Sequence, residues 1–171
     1  MNKITLLLVD DELAFLRSLR RVLWQNGYPN VLIEQSPEKV LSILESLHVD
    51  VVLLDVSMPG MNGLDLLEKI TQKYPLLPVI MVTALDTVDT ALTAIRLGAY
   101  EYLTKPPDIN RLLLTVHRAL EKRVSELEID SLRKLPQKEF AAKTEFDSII
   151  TQSPLMFKVF SLVEIFAPTN E

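Results

Sequence analysis

Cysteine is absent from all 171 residues, which rules out a disulfide framework and a thiolate-ligated metal site. Long apolar runs are missing too. None approaches the roughly 20 residues that a helix needs to cross a bilayer, and the N-terminus enters a strand-like run within three residues. Neither a signal peptide nor a transmembrane helix is predicted, so the expectation is a cytoplasmic protein with no membrane partner. Positive charge is in deficit, with 18 Lys and Arg against 23 Asp and Glu and a net charge of −5. No basic stripe forms, which argues against direct nucleic-acid binding by this chain. The glycine fingerprints GxGxxG and GxxxxGK[ST] do not occur, so neither a dinucleotide fold nor a complete nucleotide-binding loop is supported. No internal repeat is found. What is present is ordinary for a folded protein: 48% hydrophobic and 24% charged residues, enough for one domain with a full core plus an extension.

Short runs rich in Val, Ile and Leu occupy residues 4–9, 31–33, 51–54 and 79–82, with a fifth segment at 101–104. Runs of this length read as buried parallel strands. Between them the apolar residues take helical spacing. Leu13, Leu16, Leu19 and Leu23 form one stripe, closed by Gly27, and Arg17, Arg20 and Arg21 fall off it. Ser36-Pro37 looks like a cap followed by proline at the first helical position, with Val40, Leu44 and Leu47 as that helix's buried face. Pro59-Gly60 and Asn62-Gly63 predict an irregular loop. Helices are then expected over 64–74, stopped by Pro75, and over about 87–97, ended by Gly98. Asp108 is a plausible cap for the last one. Alternation of this kind implies an α/β fold, a doubly wound parallel sheet with helices on both faces.

In such a sheet the carboxyl ends of the strands open onto one crevice. Asp10 and Asp11 follow the first run, Asp55 the third, Thr83 the fourth and Lys105 the fifth. The chemistry of that set is phosphoryl handling. A carboxylate can act as a nucleophile and carry a phosphoryl group, but the attack brings two anions together and the site must first neutralise charge. Magnesium does this through one or two carboxylates and phosphate oxygens, and Asp10 and Asp11 suit that ion, or manganese. Asp55, in the middle of the sheet order, is the natural acceptor. Lys105 supplies a point charge and Thr83 a hydroxyl for phosphate oxygens. Taken singly, Asp11 could instead cap the first helix, Thr83 could be an ordinary strand-end threonine and Lys105 a solvated charge. His48 and His117 read as surface residues without partners.

Leu113, His117, Leu120, Val124 and Leu127 keep a 4-3-4-3 rhythm among charged residues, so the fifth helix is expected to continue beyond residue 120. About two heptads fit either a solvated linker or a dimerising helix. Pro136 would end it. A further segment with Val159, Leu162, Val163 and Phe166 on one face has nothing to bury against by itself. It reads as the start of something larger.

The motifs LLLVDDE at 6–12, LLDVSMPGMNGLDLL at 53–67, VIMVTA at 79–84 and GAYEYLTKPPD at 98–108 resemble the receiver domain of two-component response regulators. The resemblance implies a flavodoxin-like fold with strand order 2-1-3-4-5 over residues 1–120. It implies that Asp55 accepts a phosphoryl group from a cognate histidine kinase. Asp10, Asp11, Asp55 and the Ser57 backbone carbonyl would hold magnesium, and Thr83 and Lys105 would contact the phosphoryl oxygens. Tyr102 would be the switch aromatic acting with Thr83, and Lys105-Pro106 a cis peptide. Ser57 and Leu85 would influence acyl-phosphate lifetime. Residues 146–171 are similar to the opening of the AAA+ ATPase domain of NtrC-type, sigma-54-dependent activators, except that Thr151 stands where glycine is usual. The implied organisation is a receiver at 1–120, a helical linker at 121–143 with Leu113, Leu120, Val124 and Leu127 as homodimer contacts, and an AAA+ fragment at 144–171. A hydrolase of the haloacid-dehalogenase type would want a second aspartate where Ser57 stands. The remaining alternatives are a stand-alone receiver acting only through protein contacts and a degenerate one that is never phosphorylated.

Overall fold

The computed structural model describes residues 4–85 and 87–133, the last two by backbone only. Pro136, the apolar helix around Val159 and the AAA+-like segment lie outside those residues. Five β-α units run in order: β1 (Thr5–Val9), α1 (Leu13–Gln25), β2 (Asn30–Glu34), α2 (Pro37–Ser46), β3 (Val51–Leu54), α3 (Gly63–Lys73), β4 (Val79–Thr83), α4 (Val88–Arg96), β5 (Glu101–Thr104) and α5 (Ile109–Arg133). The strands pair in parallel in the order β2-β1-β3-β4-β5. The burial of the strands explains that order. β1, β3 and β4 are buried at every residue and sit centrally, whereas β2 and β5 are half-exposed edges. This is the flavodoxin-like strand order, 2-1-3-4-5, that the motifs imply.

Alternation of side chains divides the core in two. Leu7, Val9, Val52, Leu54, Val79 and Met81 face α2, α3 and the Ala94 side of α4. Leu6, Leu8, Leu53, Ile80, Val82 and Leu103 face α1 and α5 through Leu16, Leu19, Leu23, Leu112 and Val116. Each wholly buried leucine contributes about 1.5–3 kcal/mol, so the sheet is a rigid platform for what lies at its ends. At the amino-terminal edge of the sheet, Arg123 of α5 donates from Nη1 to the Leu76 carbonyl at 3.1 Å, and its Nε lies 3.7 Å from Asp50 Oδ1. Asp50 Oδ2 in turn accepts the Thr5 N–H at 2.8 Å. This clamp ties α5 to the body of the domain.

Several local expectations need correction. Leu47 is half-exposed and caps α2 instead of packing beneath it; Pro37, Val40 and Leu44 form the buried face. Ser36 holds the cap position without a side-chain cap bond, and its own N–H donates to Glu34 Oε1 at 2.8 Å. Asn62 is no mere loop residue, since its side chain accepts the Leu64 N–H at 2.9 Å and α3 begins at Gly63. The α1 cap position belongs to Glu12, which leaves exposed Asp11 free of that duty. His48 and His117 both have carboxylate neighbours, Asp50 at 2.9 Å and Glu121 at 3.5 Å. Of the apolar residues set in heptad rhythm, Leu120 is buried in the domain's own core and Leu113 packs against it. Val124 and Leu127 are each exposed.

Candidate functional site

Ladder bonds continue one residue past the strand ends and carry the two inner aspartates side by side. Asp10 N–H donates to the Glu34 carbonyl at 3.2 Å, and Asp55 N–H to the Val9 carbonyl at 2.9 Å. Because Val9 pairs with Leu54, Asp10 and Asp55 leave adjacent strands at the same level. Asp11, next along the turn, completes a group in which one carboxylate oxygen from each of Asp10, Asp11 and Asp55 lies within 4.8 Å of the others.

The Asp55 and Asp10 carboxylates are oriented by backbone. Asp55 Oδ1 accepts the N–H groups of Val56 at 2.7 Å and Ser57 at 3.3 Å, and Asp10 Oδ1 accepts that of Glu12 at 2.9 Å. Lys105 supplies the countercharge. Its ammonium lies 2.8 Å from Asp55 Oδ2 and is ion-paired with Asp10 Oδ2. The lysine is delivered by the turn after β5, where its N–H donates to the Thr83 carbonyl at 2.8 Å and the Lys105–Pro106 peptide is cis. Thr83 is wholly buried at the end of β4, and its hydroxyl accepts the Leu85 N–H at 3.3 Å. Tyr102, half-buried on β5, donates its hydroxyl hydrogen bond to the Leu85 carbonyl in the same loop. Asp10, Asp11, Asp55 and Lys105 therefore meet in one crevice; Thr83 reaches it through its carbonyl, which accepts the Lys105 N–H, and exposed Ser57 through its N–H on Asp55.

One residue of this crevice was not foreseen from the sequence. The Phe15 ring lies with its centroid 4.5 Å from the Lys105 ammonium. It falls off the leucine stripe of α1, so periodicity gave no sign of it; its only signal is an aromatic one turn past an acidic pair.

Burial is the main influence on Asp10 and raises its pKa above 3.8, against the lowering effect of Lys105 and the Glu12 N–H. For Lys105, burial acts to lower the pKa, but hydrogen bonds and attraction from Asp10 and Asp55 prevail and raise it above 10.5. A lysine raised in this way contributes stability that is complete below 10.5 and is lost as pH climbs through its folded value. Removing the ammonium should move Asp10 further up. Carboxyl-carbon NMR on Lys105→Met is expected to show Asp10 titrating at higher pH than in the wild type, and a lower value would contradict the pairing.

The donor set suits a hard divalent cation. Three carboxylates face one ammonium, which leaves excess negative charge when all are ionised, and every donor is oxygen, as magnesium prefers.

Comparison with known proteins follows the same lines. The family model for the response regulator receiver domain matches residues 6–117. The DNA-binding transcriptional regulator NtrC of Escherichia coli (strain K12) is 43% identical over 112 residues, covering 66% of this chain and 24% of the relative. The chain thus spans about a quarter of the length of the curated relatives it matches. The structure of NtrX from Brucella abortus in complex with ADP superposes with a TM-score of 0.70 at 29% identity, over 98% of this chain and 35% of that one. The beryllofluoride-activated NtrC4 receiver domain dimer gives 0.66 at 35% identity, over 70% of this chain and 98% of that one.

Proposed function

Since the chain belongs to the response regulator receiver domain family, of the kind found in NtrC, we propose that it accepts a phosphoryl group on Asp55 from a histidine kinase. The observation that carries this reading is the cluster of Asp10, Asp11 and Asp55, with Lys105 bridging Asp10 and Asp55.

Asp10, Asp11, Asp55 and the Ser57 carbonyl would hold magnesium. Its role when bound is to neutralise charge between carboxylate and phosphate. The backbone N–H groups of Val56 and Ser57 hold the Asp55 carboxylate in a fixed orientation, so little reorganisation precedes attack. A new bond joins an Asp55 oxygen to phosphorus as the bond from phosphorus to the donor's histidine nitrogen breaks. Lys105 and the Thr83 hydroxyl then hold phosphoryl oxygens. Positioning and electrostatics are what this chemistry requires. The product stays on the chain, which acts as a phosphoacceptor and not as a turnover enzyme.

Transmission rests on the loop that Thr83 and Tyr102 share at Leu85. Drawing Thr83 toward a phosphoryl oxygen changes the Leu85 loop, releases the Tyr102 hydroxyl and repacks α4, β5 and α5 as a population shift. Inverting a two-state equilibrium from 1:99 to 99:1 takes about 5.5 kcal/mol of differential affinity, within reach of a few charge-assisted hydrogen bonds. Tyr102→Phe, which removes only the hydroxyl, is expected to leave the rate of phosphorylation unchanged while altering the downstream response. Loss of phosphorylation itself, measured by intact mass, would contradict the switch role.

The output we infer is an AAA+ domain of the sigma-54 activator type beyond the linker, with self-association aided by α5. The match to NtrX over nearly the whole chain supports this, and so do the exposed Val124 and Leu127. Among the described residues no helix is long and apolar enough to cross a membrane, which accords with action in the cytoplasm.

With magnesium and acetyl phosphate the chain should gain one phosphoryl group, and neither Asp55→Ala nor the metal-free wild type should. Equal labelling of Asp55→Ala, or steady hydrolysis of a generic phosphate ester, would overturn the assignment.

A further inference from the structure

Magnesium and Lys105 would draw on the same carboxylates. Lys105 is bonded to both Asp10 and Asp55, so a cation entering between those carboxylates must displace or share them. What holds the lysine there is not only charge. The ammonium has the face of Phe15 at 4.5 Å from its centroid, and the hollow that Phe15 lines is walled mainly by apolar side chains, among them Leu16, Leu19, Leu53 and Val82, together with Asp10 and Asp55. An ammonium over an aromatic face is attracted by the ring's negative quadrupole, more strongly where water is excluded. Phe15 is itself fixed, part-buried against the α1-side core on a helix anchored by Leu16 and Leu19.

We propose that Phe15 is a positioning residue for Lys105. Its ring holds the ammonium over Asp10 and Asp55 and so sets how strongly the lysine competes with a divalent cation for them. The inference rests on the functional reading above, in that magnesium takes those carboxylates. The consequence runs opposite to simple packing. A residue that only shaped the site would, when trimmed, loosen the carboxylates and weaken the metal. A residue that favours the competing lysine strengthens the metal when it is lost.

Isothermal titration of Mg2+ into the metal-free chain separates the two. Phe15→Leu, which keeps an apolar side chain, is expected to bind Mg2+ about three- to tenfold more tightly than the wild type, the range that a part-desolvated contact of this kind spans. Phe15→Tyr retains the ring face and should match the wild type. Trifluorophenylalanine at position 15 preserves shape while depleting the face, so it should tighten binding even if Phe15→Leu folds poorly. In a Lys105→Met background, Phe15→Leu should have no effect on Mg2+ affinity, because contact energies couple only when both partners are present. Unchanged or weaker Mg2+ binding by the fluorinated chain, or an equal gain without Lys105, would overturn the proposal. Failure of the wild-type chain to bind Mg2+ at all would contradict the functional reading, and this inference with it.

Discussion

Gly63→Ala is expected to destabilise the protein by about 3 kcal/mol or more, at or beyond the upper end of ordinary overpacking. The first residue of α3 comes so close to the end of β3 that a Cβ there would stand 1.9 Å from the Asp55 carbonyl oxygen and 2.8 Å from the Val56 Cα. Both are backbone atoms, so no side chain can rotate away. The approach is enforced by the Gly63 N–H, which donates to the Val56 carbonyl at 2.8 Å. Relief would have to come from moving either the start of α3 or Asp55, the proposed phosphoacceptor. The substitution should therefore reduce phosphorylation of whatever fraction folds. Gly27→Ala is the control: it has φ of +92° but nothing within 4 Å, so only backbone strain of about 1–2 kcal/mol applies. Denaturant midpoints at constant slope measure both. Equal costs for the two glycines would show that close packing at Asp55 is not what position 63 requires.

Lys105→Met should have effects of opposite sign on two observables. Without magnesium, Asp10 and Asp55 lose their shared countercharge while nearly buried, at 3% and 6% side-chain exposure. Breaking a buried ionic group by removing one partner costs about 3–5 kcal/mol. The same loss makes the site more negative, and magnesium should bind about tenfold more tightly, an advantage of about 1.4 kcal/mol. Added magnesium should then restore part of the lost stability through linkage. Phosphotransfer should nevertheless slow by about 100-fold or more, the scale for losing one preorganised electrostatic contact to a developing charge. Unfolding with and without magnesium, calorimetry and a phosphorylation time course give the three readings. Slower transfer with weaker magnesium binding would mean that Lys105 shapes the site instead of competing for it.

The crevice was legible in the sequence because of where its members stand. Asp10, Asp55, Thr83 and Lys105 each follow a short apolar run, and parallel strands all present their carboxyl ends to one side. What escaped is instructive. Leu113 and Leu120 lie seven residues apart, a spacing that serves equally for a coiled-coil seam and for a helix face packed on its own sheet; the structure uses them for the latter. Leu47 continued the spacing of Val40 and Leu44, but α2 ends at Ser46, and periodicity does not announce where a helix stops. Arg123 and Asp50 form a clamp across 73 residues of sequence, a pairing that no local pattern encodes. Phe15 was invisible for a different reason. Its partner is a charge brought from the far end of the domain, and only the fold creates that contact.

The most direct test of the account is the position of the phosphoryl group itself. After brief exposure to acetyl phosphate and magnesium, borohydride reduction converts an acyl phosphate to homoserine at the modified aspartate, and peptide mass spectrometry locates it. The prediction is homoserine at position 55 alone. Homoserine at position 10 or 11, or at no aspartate while phosphate is retained elsewhere, would contradict it.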